Sequence, residues 1–159
     1  CYFYKIKQKV NVAIFRPFNV FGPGMPKNDY RVFPRFFSSI KNSRPITIFK
    51  NGKQTRTFCY VSDAITAMFL VIIKGNKFVY NIGTDGPEIN MSVLHKNIEK
   101  SIGKKVKSIN INYPKNYPQV EPQRRCPDIT KIKRELNFKN KVTLIESIKR
   151  FYLWSSKYY

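Results

Sequence analysis

Short unbroken apolar runs alternate with longer segments of helical period along the whole chain, and this alternation narrows the fold more than any other feature. Residues 12–15 (VAIF) read as a buried parallel strand, apolar throughout and rich in β-branched side chains. Pro17, Gly22, Pro23, Gly24 and Pro26 then predict an irregular loop over residues 17–28. Residues 31–42 suit a helix that tolerates Pro34 only in its first turn. Residues 46–49 (ITIF) and 57–61 (TFCYV) read as two short strands about a tight Asn51-Gly52 turn.

The helix with the clearest pattern follows. Ser62 is a suitable N-cap with Asp63 in the first turn, and Ile65, Met68, Phe69, Ile72 and Ile73 fall at helical spacing before the Gly75 stop. A strand over residues 78–82 leads through a Thr84-Asp85-Gly86-Pro87 turn to a helix over residues 92–102, with Leu94, Ile98 and Ile102 on one face and Gly103 behind it. Residues 108–111 form a weaker strand, and a loop rich in Pro and Tyr fills residues 112–127. Thr130 is expected to cap a short helix with Ile132 and Leu136 inward. Thr143 with Glu146 matches a capping box that opens a last helix through Ile148, Phe151 and Tyr152. Strands alternating with helices predict an α/β fold.

Composition removes several alternatives. With 42% hydrophobic and 15% aromatic residues in 159, the chain is rich enough to build a core, unlike a disordered one. That length suits one domain or half of a larger one. The longest apolar run, residues 69–73, falls far short of the roughly 18 to 20 residues of a membrane span, so the expectation is a soluble chain. No basic, apolar leader opens it. The first residue is Cys1, inside what reads as an element entered partway, so an N-terminal portion is expected to be missing. Cys1, Cys59 and Cys126 are widely separated and lack metal-ligand spacing, as free thiols in a reducing compartment would be. His95 is read as a solvated helix residue.

The net charge of +21 points first to a polyanion partner. Its distribution argues against that. Residues 1–53 and 91–159 carry the excess while residues 54–90 are neutral, and 21 of the 30 basic residues are Lys. Lys, Asn and Ile make up 53 residues, a bias that A/T-rich coding produces without any ligand. A basic nucleic-acid-binding module is therefore the alternative function, carried by charge alone, since Phe15, Phe49, Phe58 and Phe69 sit in predicted core elements rather than on a stacking surface.

Gly22-Pro23-Gly24 lacks the third glycine of a dinucleotide fingerprint, since residue 27 is Lys. No Tyr is followed four residues later by Lys. What stands out is arginine at loop and strand ends: Arg16 in RPFN, Arg56 in QTR, and Arg124-Arg125 in RRCPD. The planar guanidinium fork matches phosphate oxygens in bidentate fashion, which makes these residues candidate anion ligands.

At these motifs a family becomes recognisable. Residues 12–25 (VAIFRPFNVFGPGM), 29–36 (DYRVFPRF), 45–65 (PITIFKNGKQTRTFCYVSDAI), 80–83 (YNIG) and 121–138 (EPQRRCPDITKIKRELNF) resemble, in order, the C-terminal half of the extended short-chain dehydrogenases. These are the NAD-dependent nucleotide-sugar epimerases, 4,6-dehydratases and UDP-glucuronate decarboxylases. The resemblance implies the C-terminal part of a Rossmann-type NAD-binding fold plus a smaller mixed α/β lobe. Residues 1–25 would supply the last helix end, strand and loop, and residues 26–159 mainly the nucleotide-sugar lobe, with returning Rossmann elements near 57–83. The catalytic Tyr/Lys pair and the glycine loop are expected upstream of Cys1.

By the same resemblance, Asn19 corresponds to the asparagine that bonds the substrate diphosphate, and Pro17 and Phe18 to backbone passing the nicotinamide. Arg31 and Val32 correspond to a pair contacting phosphate and base, Ile48 and Phe49 to the strand packing on the nucleobase, and Asn81 to a polar residue near the nucleotide. Arg56 and Arg125, or less readily Arg124, match the diphosphate arginines, and one of the adjacent pair must point away. Gly24 stands where decarboxylases carry Arg, which leaves epimerase or dehydratase chemistry open. The implied partners are a UDP-sugar, the missing half and a second copy in a homodimer, in the cytoplasm, with neither nucleic acid nor membrane. The present chain is expected to be inactive alone.

Overall fold

The computed structural model describes residues 2–75, 79–114 and 122–159. In chain order its elements are α1 (Tyr2–Lys7), β1 (Ile14–Pro17), β2 (Val20–Phe21), α2 (Val32–Lys41), β3 (Ile46–Phe49), β4 (Thr55–Arg56), β5 (Cys59–Tyr60) and α3 (Val61–Lys74). There follow β6 (Val79–Ile82), β7 (Ile89–Asn90), α4 (Met91–Ile102), β8 (Ser108–Ile111), β9 (Arg124–Arg125), α5 (Thr130–Leu136) and α6 (Leu144–Tyr158). Among the described residues no helix is long and apolar enough to cross a membrane.

Most pairings are parallel and distant in sequence. β1 pairs with β6 from Ile14↔Val79 to Pro17↔Ile82, β2 with β5, and β3 with β8. β4 lies between antiparallel β7 and parallel β9. Parallel neighbours need a crossover, and α3 supplies it between β1 and β6 while touching both strands. The outcome is the α/β architecture that the alternation implies.

Two apolar clusters hold these elements. In one, Phe21 stacks on Phe33 with centroids 3.6 Å apart, and Phe58 and Phe151 meet Phe33 edge-on. Leu94 and Ile98 of α4 and Ile148 of α6 complete it. In the other, Ala64, Ala67 and Val71 of α3 meet Tyr80 and Ile82 of β6 and Ile132 and Leu136 of α5. Asp63, buried at the start of α3, accepts the backbone N–H groups of Lys141 and Val142 at 3.0 and 3.1 Å, fixing the approach to α6. Burial of that carboxylate is offset by those two bonds.

Several expectations change. The two strands foreseen about Asn51-Gly52 do not form a hairpin. The turn exists, with Gly52 at φ +64° and its N–H on the Phe49 carbonyl, but β3 leaves to pair with β8 while β4 and β5 join other sheets. Long-range parallel pairing outweighs the local turn signal. On α3 the large residues Ile65, Phe69, Ile72 and Ile73 are exposed, and the inward face consists of Asp63, Ala64, Ala67 and Val71. Small side chains let this helix lie close to β1 and β6. Asp128, rather than Thr130, bonds the first turn of α5, accepting from Thr130 N at 2.8 Å. His95 is not a solvated residue: it is half-buried, with Nε2 2.7 Å from the Val106 carbonyl and the Glu99 carboxylate nearby. β2 interrupts the loop foreseen over residues 17–28. Cys1, Phe78 and residues 115–121 of the Tyr-rich loop lie outside the described residues.

Other expectations hold. α4 ends at Gly103 with φ +70°, and Thr143 accepts from Glu146 N at the start of α6. Ile98, Leu136, Ile148 and Phe151 are all buried.

Candidate functional site

The site grows from the end of β1. Phe18 N donates to the Ile82 carbonyl at 2.8 Å, and Asn19, at φ +46°, then swings the chain out of the β1–β6 pair into β2. Asn tolerates this left-handed conformation better than most residues. Asn19 Nδ2 donates 3.1 Å to the Arg125 carbonyl, so the turn is tied to β9. Since Arg56 and Arg125 stand in register on β4 and β9, one side-chain bond and one strand pairing bring three distant segments together.

Asn19, Arg31, Val32, Phe49, Arg56 and Arg125 line a single cleft of about 240 Å³. All six were expected to contact a nucleotide's phosphates or base, and they come from five separate stretches of sequence. The cleft is smaller than the roughly 300–1,000 Å³ typical of one that takes a drug-sized ligand, so it has room for only part of one.

Each cation is held differently. Arg56 is buried, and its guanidinium donates to the carbonyls of Thr55 (2.7 Å), Gln123 (3.3 Å) and Pro122 (2.6 Å). These carbonyls offset the cost of burying the charge and anchor the approach to β9. Arg125 is exposed toward the cleft, whereas Arg124 turns away and donates to Glu88 from Nε and Nη2 at 3.1 and 2.8 Å. The strand alternation thus decides between the adjacent arginines. Arg31 is the N-cap of α2 and grips Asp29 through Nε and Nη2, at 2.9 and 2.5 Å to Oδ2. That bond holds the Asp29 carboxyl below the usual carboxylate range and raises the Arg31 guanidinium. No side chain caps α2, and its N-terminus, where the helix dipole favours anions, borders the cleft through Arg31, Val32 and Phe33.

Beside the cleft, Tyr159 donates its hydroxyl to the Met25 carbonyl at 2.9 Å; burial, with the Asp29 charge, pushes its phenol up to about 12. Arg35, which the sequence reading passed over, lies with its guanidinium carbon 3.8 Å from the centroid of Phe49 and also lines the cleft. Its signal was present in the sequence: it stands four residues after Arg31, on the same helical face.

The remaining candidates lie elsewhere. Ile48 points into the core, where its side chain packs under Gly52. Asn81 donates to the Asp128 carbonyl at 3.0 Å and fastens the start of α5. Pro17 and Phe18 sit outside the cleft at the carboxyl end of β1, the edge of a parallel sheet where dinucleotides bind. Pro17 is exposed there, so a planar ring could pass it, whereas Phe18 is packed against Gly83. These two residues fit one flank of an NAD site and no more. Cys59 is buried and its thiol pushed up to about 12 by desolvation, the opposite of an activated thiolate. Among the described residues no three His, Cys, Asp or Glu side chains group to hold a metal ion.

Parallel strands joined by a crossover helix, with an arginine-lined cleft beside their carboxyl ends, define a Rossmann-type α/β protein. More narrowly, the chain belongs to the NAD dependent epimerase/dehydratase family, which matches residues 1–83. It is 34% identical over 141 residues to UDP-glucuronic acid decarboxylase 1 of Arabidopsis thaliana, covering 89% of this chain and 31% of that protein. It is 31% identical over 151 residues to UDP-N-acetyl-alpha-D-glucosaminuronate decarboxylase of Bacillus cytotoxicus, covering 92% and 47%. The UDP-glucuronic acid 4-epimerase of Bacillus cereus, solved with UDP-glucuronic acid and NAD, superposes with a TM-score of 0.87 at 26% identity, over all of this chain and 49% of that one. The chain thus spans about a third to a half of the length of the relatives it matches.

Proposed function

We propose that this chain is the nucleotide-sugar-binding portion of an NAD-dependent epimerase, dehydratase or decarboxylase that works through a transient 4-keto sugar. The observation that carries this reading is the convergence of Asn19, Arg31, Arg56 and Arg125 on one cleft. A diphosphate brings about two negative charges, and each charge-assisted hydrogen bond to it contributes on the order of 1.5 to 3 kcal/mol. Arg125 and Arg31 grip the phosphates in this account. Arg56 adds positive charge to the wall while holding β4 against the segment entering β9. Asn19 orients Arg125 through its backbone. The β1 edge at Pro17 and Phe18 flanks the nicotinamide, and bound NAD would accept a hydride from the sugar and return it.

The binding portion acts by orientation, presenting the sugar's C4 to chemistry supplied by a Tyr/Lys pair on the rest of the enzyme. Residues 1–25 supply the last Rossmann helix end, strand and loop, and residues 26–159 mainly the nucleotide-sugar lobe, with returning Rossmann elements near 57–83. Alone, the chain binds without turnover. Among the three reactions, Gly24 weakens the decarboxylase reading and leaves epimerase or dehydratase chemistry open. Its φ of +93° suits glycine and disfavours the Arg that decarboxylases place there.

Calorimetry with UDP tests the reading. Arg125→Ala should weaken binding by about 1.5 to 3 kcal/mol, while Arg124→Ala, which removes only the Glu88 partner, should leave it unchanged. Equal effects of the two changes, or no UDP binding by the native chain, would overturn it.

A further inference from the structure

The base end of this cleft has an unexpected floor. Phe49 was expected to pack on the nucleobase, yet its ring is 6% exposed. Arg35 lies 3.8 Å over it, and Tyr113 sits against it at 5.0 Å with the planes tilted by 53°. A spacing of 3.8 Å is that of a guanidinium stacked on the ring, so this face of Phe49 is occupied. Arg35 is itself only half-buried and lines the cleft. It is fixed from behind by Nη2, which donates to the Thr47 carbonyl of β3 at 3.1 Å.

Resting on the nucleotide reading above, we propose that the planar guanidinium of Arg35, and not the Phe49 ring beneath it, is the surface on which the nucleobase lies. The order of layers is then Phe49, Arg35, base. Three points support it. A guanidinium is flat, delocalised and weakly hydrated, and it stacks on rings with either face. Stacking on arginine or aromatic planes is a general way for proteins to hold bases. Arg35 also stands four residues beyond Arg31, the N-cap of α2, and about one helical turn from it, so both guanidinium groups border the same cleft. Lysine could supply the charge but not the plane.

The test uses the 159-residue chain with UDP and with its 5,6-dihydrouridine analogue, which keeps both carbonyls but has a puckered, non-aromatic ring. The native chain should prefer UDP by about fivefold or more. Arg35→Lys should bring that preference close to one while leaving affinity for inorganic pyrophosphate unchanged, and Arg35→Gln, with its planar amide, should restore part of it. Intermolecular NOEs from uracil H5 and H6 should reach the Arg35 δ protons. That measurement decides the matter even if a variant fails to fold. NOEs to the Phe49 ring instead, no preference in the native chain, or an unchanged preference in Arg35→Lys would each overturn the proposal. Failure of the native chain to bind either nucleotide would remove the nucleotide reading as well.

Discussion

Helices α3 and α4 carry the same kind of pattern in sequence and meet opposite fates. In α4 the large residues Leu94 and Ile98 are fully buried, with α6 packed over the helix. In α3 the large residues face outward, Ile72 and Ile73 being 67% and 72% exposed, and the inward row is Ala64, Ala67 and Val71. The difference teaches that periodicity marks where an apolar stripe runs without naming the neighbour that covers it. α3 is apolar on both sides, a pattern typical of helices packed between two layers. Its small-residue side has met the sheet, and its large-residue side forms an exposed row of a kind that normally marks an interaction surface.

Four measurements would break or sharpen this contrast. Ile98→Ala in α4 should cost the most, about 2–5 kcal/mol in urea unfolding, through lost burial and a cavity. Ala67→Leu on the inner side of α3 should cost about 1–3 kcal/mol by overpacking against β6 and α5. Thr143→Ala should lose about 1 kcal/mol by removing the cap of α6 that holds α4 in place. Ile72→Lys on the outer side of α3 should change stability by no more than about 0.5 kcal/mol. A loss as large as that of Ile98→Ala would mean that the outer stripe is covered after all.

The smallest effect belongs to the cleft. Asp29 has a depressed folded-state pKa, so its bond to Arg31 adds stability above the ordinary carboxylate range, and this is lost as pH falls through that range toward the folded value. Asp29→Asn should flatten this part of a pH–stability profile, which thermal melts between neutral and acidic pH would record.

The chain's own signals explain what was legible. Caps and stops are local, so Thr143, Gly103 and the first turn of α2 were readable from a few neighbouring residues. Strand partners were not, because β3 finds β8 some sixty residues away and no local cue records it. The inner face of α3 was hidden for another reason: alanines signal weakly beside Phe and Ile, yet close approach to a sheet selects them. In the site, the arginines announced themselves by chemistry, and the resemblance already preferred Arg125 to Arg124; what it did not carry was the Glu88 bond that turns Arg124 away. Arg35 lies in a helix whose apolar pattern is dominated by the buried Phe33, Phe36 and Phe37.

Asn19 has a mechanical consequence. It is the joint at which one continuous stretch of chain stops serving the β1–β6 pair and starts serving β2–β5, and its side chain is fastened to the strand that presents Arg125. One hydrogen bond thus ties the tip of β1, where the chain leaves one parallel pair for another, to the strand that lines the cleft with Arg125.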